Sequence, residues 1–139
     1  MVARDMAVRG GHFLASAILL KQHDGHPYVW RHNFCQGIEV LMKGLLLIKD
    51  FDQYWPKMRK FGHNLLPVCD AAAAAYGLST PVGALRAEID YLSRFYQQHW
   101  LRYASGVSGL IDANSIGYER TLQRLVAVQR LIERHRLLQ

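Results

Sequence analysis

The chain has 139 residues, half of them apolar and only 20% charged, which suits one compact domain and excludes a disordered chain. Lys and Arg number 17 against 11 acids, a net charge of +6, and Arg outnumbers Lys 12 to 5. That excess favours an anionic partner, and Arg is the better residue for forked contacts to phosphate or carboxylate. Cys35 and Cys69 are too few for a disulfide framework and read as two buried, reduced thiols. The start of the chain has no basic segment leading into a long apolar run. The longest apolar stretch, Phe13 to Leu20, is far short of the ~20 residues that cross a bilayer. The expectation is a soluble, cytoplasmic protein.

No segment alternates with period two, so the expected class is all-α, an up-and-down bundle of about five helices over residues 1–139. The first helix runs from about Asp5 to Gln22, with Leu14, Ala17, Ile18 and Lys21 at helical spacing and Gly10-Gly11 weakening its start. His23 to Pro27 is a turn. The second helix, about Tyr28 to Lys49, has apolar residues on several faces and is therefore expected at the centre. Asp50 to Phe61 reads as a connector anchored by Phe51, Tyr54, Trp55 and Phe61, with Pro56 opening a short helical turn. A third helix covers about Asn64 to Tyr76, with Gly77 as its stop. Thr80-Pro81 opens a fourth that reaches about Tyr103, Thr as cap and Pro at the first helical position. Ser105 to Gly117 is a loop, and a last helix covers about Ile116 to Leu138. Trp30, Trp55 and Trp100 are expected as core or interface aromatics rather than stacking platforms.

Two helix faces carry candidate chemistry. On the second helix, His32, Gln36, Glu39, Lys43 and Asp50 fall in a narrow polar arc, with Glu39 and Lys43 in the favourable order for an ion pair. This arc is either a solvent face or a polar seam in a groove or subunit interface. On the last helix, Arg120, Arg124, Arg130 and Arg134 share one side, while Leu122, Leu125, Val126, Val128 and Ile132 occupy the other. The arginines form either a solvated cationic face or a phosphate-tracking surface. Despite seven histidines, no Glu-x-x-His or His-Glu-x-x-His spacing occurs, and neither a metal nor a cofactor is expected.

The segment Phe34 to Leu47, with Gln36, Glu39 and Lys43 in an apolar frame, resembles the second helix of HEPN domains. Gly62-His63-Asn64-Leu65 resembles the opening of that family's next helix, and Arg102-Tyr103 the end of the following one. The order of these motifs also matches, over roughly Gly10 to Arg136. The resemblance implies a homodimeric helical bundle that binds RNA or nucleotide, or that partners a small nucleotidyltransferase. Lys43 and Arg102 would then join Arg120, Arg124, Arg130 and Arg134 as nucleotide- or RNA-binding cations. His63 is expected to fix the chain at a helix start.

A ribonuclease branch of the family carries Arg, then His four to six residues on, in a cleft shared by two protomers. That spacing occurs here as Arg94 to His99 and as Arg130 to His135. Arg would stabilise a crowded phosphate and His would move protons, with no metal needed. Residues five apart on one helix point about 140° apart, so a shared site needs a partner chain or a helix break. Composition alone yields about two such spacings by chance. Non-catalytic binding is therefore the leading expectation, with metal-independent RNA cleavage as the alternative.

Overall fold

The computed structural model describes residues 2–99 and 112–139. The described residues are helical, without strands: α1 (Val2–Gln22), α2 (Pro27–Lys49), α3 (Phe51–Tyr54), α4 (Met58–Phe61), α5 (Leu65–Tyr76), α6 (Gly83–Gln97) and α7 (Glu119–His135). Two 3-10 turns, Trp55–Lys57 and Ala113–Ser115, complete the order. Trp100, Arg102, Tyr103 and most of the expected Ser105–Gly117 loop lie outside the described residues. No described helix is long and apolar enough to cross a membrane.

The helix count exceeds the expected five because the Asp50–Phe61 connector winds into α3, a 3-10 turn and α4. Asp50 makes the first break: its backbone is extended, and its carboxylate accepts from Gln53 N at 3.0 Å to cap α3. Its N–H still donates to Leu46 O, which closes α2.

α1 and α2 form an antiparallel pair of unusually close approach. Ala7 faces Gly44, Gly10 faces Leu41, and Leu14 faces Gly37. The small residues stand where a Cβ would strike the opposite helix, so Gly10 sits inside α1 for packing rather than as a weak point. α2 is the central helix, as its apolar composition requires: Phe34, Ile38, Leu45 and Leu46 are essentially inaccessible. It packs against α1, α5 and α6, and α7 packs on α6.

The helix ends show which local signals govern. Asn64 caps α5 by accepting from Leu66 N, and Gly77 ends it in the left-handed conformation. α6 starts at Gly83 rather than at Pro81. Gly83 takes the positive φ that turns the chain into the helix, while Pro81 is buried and its carbonyl accepts from Arg86. The same helix stops at Gln97, short of the expected Tyr103, because His99 adopts a left-handed backbone with φ 59°. α7 starts at Glu119, not Ile116. Ile116 is wholly buried, and its carbonyl accepts from Arg31 Nε at 3.0 Å.

The buried stripe of α7 is Thr121, Leu125, Val128, Leu131 and Ile132, whereas Val126, expected inside, is exposed. Cys35 and Cys69 are free and buried, and burial pushes both thiols up, Cys69 to about 12.

Candidate functional site

The polar arc of α2 does not face solvent along its length. Glu39 and Lys43 are 6% and 9% exposed, which overturns the solvent-face alternative at these positions. Elements distant in sequence cover them. Lys43 Nζ donates to Glu39 Oε1 and to Gly62 O, both at 2.7 Å. His63 Nδ1 lies 3.1 Å from each carboxylate oxygen of Glu39, and the Tyr96 hydroxyl donates to Oε2. One carboxylate thus holds α2, the α4–α5 junction and α6 together.

Burial on its own would raise the Glu39 carboxyl. Hydrogen bonds from Lys43, Tyr96 and His63 outweigh it and hold the group below the ordinary carboxylate range. Tyr96 is pushed well up, by burial first and by the adjacent carboxylate second. The carboxylate, with its donors in place, is an organising anion rather than an open ligand or base.

The upper part of the same arc opens into a cleft of about 310 Å³, lined by His32, Asn33, Gln36, His63, Tyr96 and His99. His63 and His99 meet edge to face with centroids 5.8 Å apart, and His63 packs similarly on Tyr96 at 5.7 Å. The His63 side chain is 56% exposed. With Nδ1–H donated to Glu39, a neutral His63 ring presents Nε2 as an acceptor; protonated, it presents a donor. The cleft therefore offers amide and imidazole groups suited to a nucleobase edge or a phosphate oxygen. No group of three or more His, Cys, Asp or Glu among the described residues is arranged to hold a metal.

The expected site residues are distributed unevenly. Gln36, Glu39, Lys43, Gly62, His63 and Asn64 converge on this one region. The Lys43 charge lies inside it, facing Glu39 and the Gly62 carbonyl rather than outward as an RNA-binding cation would. His63 holds the carboxylate, and it is Asn64 that caps the helix. Of the first Arg/His pair, His99 lines the cleft while Arg94 is exposed and ion-paired with Asp90 at 2.7 Å. Of the second, Arg130 is exposed on α7, and His135 lines a separate surface depression with Lys49 and Tyr76. Arg120 and Arg134 are exposed, and Arg124 donates to the Ser79 carbonyl.

Three buried or bonded residues went unrecognised in the sequence, Tyr96 and Asn33 at the cleft and Arg31 away from it. Tyr96 sits on the buried face of α6 with Ile89, Leu92 and Ser93, and a tyrosine at a core register needs a buried acceptor. Arg31 is 2% exposed, stacked 4.1 Å from the Trp30 ring and bonded to Ile116 O. Asn33, next to His32 in sequence but about 100° round the helix from the arc, donates to Ser16 Oγ at 3.1 Å, tying the cleft wall to α1. Comparison with protein-family models, with curated proteins and with solved structures finds no match for this chain.

Proposed function

We propose that this chain is a cytoplasmic, homodimeric, HEPN-like helical module that binds RNA or nucleotide without turnover, with the histidine-lined cleft as its ligand site. The observation that carries this reading is that Gln36 and His63 line one cleft while Glu39 and the Gly62 carbonyl share the hydrogen-bond network beside it, from α2 and the α4–α5 junction, whose motifs resemble that family. The exposed Arg120, Arg130 and Arg134 supply a cationic surface for a phosphodiester backbone. A nucleotidyltransferase-type protein is the partner that the same resemblance suggests.

One observation favours a second reading, metal-independent RNA cleavage. His99, a member of an Arg/His pair, stands beside His63, and two imidazoles in one cleft can act as acid and base. A single experiment separates the two. Labelled single-stranded RNA and nucleoside triphosphates are titrated with protein in EDTA at pH 7, with binding read by anisotropy and integrity by gel. Binding without cleavage, weakened in His63→Ala, is the expected outcome. Cleavage abolished by His99→Ala or His135→Ala would replace it with the nuclease reading. Absence of binding by the wild-type protein to every ligand would overturn both.

A further inference from the structure

The segment between α2 and α5 holds two aromatic rings where water reaches them. Phe51, expected as a connector anchor, is 42% exposed, and Trp55, expected in the core or at an interface, is 54% exposed and so not in the core. They stack on one another, centroids 5.2 Å apart and planes 12° from parallel. Their neighbours Tyr54, Met58 and Phe61 turn inward and pack against the core. The connector is thus fixed from beneath by one set of apolar side chains and carries a pre-stacked pair on its outer side.

Charge along the same segment is unbalanced. Residues 49–60 contain Lys49, Lys57, Arg59 and Lys60 against Asp50 and Asp52, and all six are exposed. Asp50 is further engaged as the cap of α3. Lys57 Nζ lies over the Tyr54 ring at 5.3 Å, next to the stacked pair in sequence, and Lys49 lies over Tyr76 at 5.5 Å. Aromatic faces flanked by lysine and arginine are the combination that single-stranded nucleic acid requires: bases stack on the rings and cations follow the phosphates. A membrane interface also takes aromatic and basic side chains, but it favours an amphipathic helix several turns long. Here the rings sit on a one-turn helix and a 3-10 turn, with Asp50, Asp52 and Gln53 interleaved. The chain then runs directly from this platform through α4 to His63 in the cleft.

We propose that Phe51 and Trp55 form a base-stacking platform for single-stranded RNA, with Lys57, Arg59 and Lys60 as its phosphate contacts. This rests on the RNA-binding reading and assigns it a second, separate contact surface.

The test is anisotropy with fluorescein-labelled U12 and A12 RNA, on wild type, Trp55→Ala, Phe51→Ala, Trp55→Phe and Lys57→Gln/Lys60→Gln. Vesicles of phosphatidylcholine with and without phosphatidylserine are run in parallel, together with sedimentation of each variant. Trp55→Ala should bind RNA about 10-fold more weakly, on the scale of one lost base stack. Trp55→Phe should recover most of that loss. The double lysine variant should flatten the slope of log affinity against log salt by about 1.4, two single-strand phosphate contacts. The variants should melt like wild type, since the changed side chains are exposed. Wild-type binding that Trp55→Ala leaves unchanged overturns the platform while the RNA reading stands. No RNA binding by wild type overturns both. Vesicle binding, or self-association lost in Trp55→Ala, without RNA binding assigns the patch to a membrane or to a second copy and overturns the proposal.

Discussion

A Cβ placed on Gly44 would stand 2.6 Å from the backbone nitrogen of Ala7, closer than two such atoms approach in folded proteins. The contact is backbone on side chain, with no flexible group to yield. α1 and α2 must separate if either residue grows. Gly44→Ala should therefore destabilise the fold by roughly 1–3 kcal/mol, the usual range for overpacking. Gly11, one position beyond the seam, has nothing within 4 Å of its would-be Cβ. Gly11→Ala should stabilise by about 0.5–1 kcal/mol through the lower entropy of the unfolded chain. Urea denaturation of the two variants measures both. No loss of stability in Gly44→Ala would show that the seam does not set the helix spacing.

The seam was written in the sequence, though the Gly10-Gly11 pair read as a weakness. Ala3, Ala7, Gly10, Leu14, Ala17 and Lys21 recur at alternating steps of four and three, the signature of one continuous packed stripe. Asn64 and Gly77 were legible because a cap and a left-handed stop act through their own side chain or its absence. The α2 arc could be located but not interpreted. Periodicity assigns Glu39 and Lys43 to one face, yet what covers that face comes from Gly62, His63 and Tyr96, up to 57 residues away. Of the two places expected for Trp55, core or interface, its exposure excludes the core. Composition says that tryptophans tend to be buried, and only the winding of residues 51–61 turns this one outward.

The start of α7 depends on a side chain from another helix. Tyr118, at the N-cap, gives no side-chain cap; Glu88 of α6 instead accepts from Thr121 N and from Thr121 Oγ1, both at 2.6 Å. A carboxylate at a helix N-terminus satisfies free N–H groups and complements the helix dipole. Glu88→Ala should cost about 1–2 kcal/mol, toward the upper end for a lost cap. Glu88→Gln, which keeps the acceptor and removes the charge, should cost about half as much. Chemical denaturation at low and at high salt would test this. Equal losses in the two variants would mean that the charge carries the whole effect and the neutral acceptor nothing; no loss in Glu88→Gln would mean that the charge contributes nothing.

Both thiols should be inert in the native protein. Cys35 has no exposed surface and Cys69 is 9% exposed, and burial raises both above the ordinary thiol range. A thiol-specific reagent at pH 8 should label neither on a timescale that labels both in urea. Of the two, Cys69 should react first, since it lines a small opening of about 20 Å³ beside Arg124 and Val128. Peptide mass spectrometry after timed labelling reads the order. Rapid native labelling of Cys35 would mean that α2 opens far more readily than its packing implies.

The Glu39 network makes stability depend on acid in a defined direction. The carboxyl is held below its unfolded value of about 4.5, so the folded state binds its proton less readily than the unfolded chain. Its contribution is then fully present above about pH 4.5 and is lost as the pH falls through the folded-state value. Glu39→Gln removes that dependence and leaves the Lys43 ammonium buried with neutral acceptors alone, the amide oxygen and the Gly62 carbonyl, and no counter-charge. Breaking one side of a buried pair costs about 3–5 kcal/mol at neutral pH, so the variant should be markedly less stable there. As the pH falls below about 4.5 the difference from wild type should shrink, because the unfolded wild-type chain then takes up the proton that the folded carboxyl resists. Urea midpoints from pH 7 to pH 3 for both proteins give the comparison directly. Parallel curves across that range would show that Glu39 is not the group on which the cleft wall is built, and the ligand-site assignment of His63 would lose its structural basis with it.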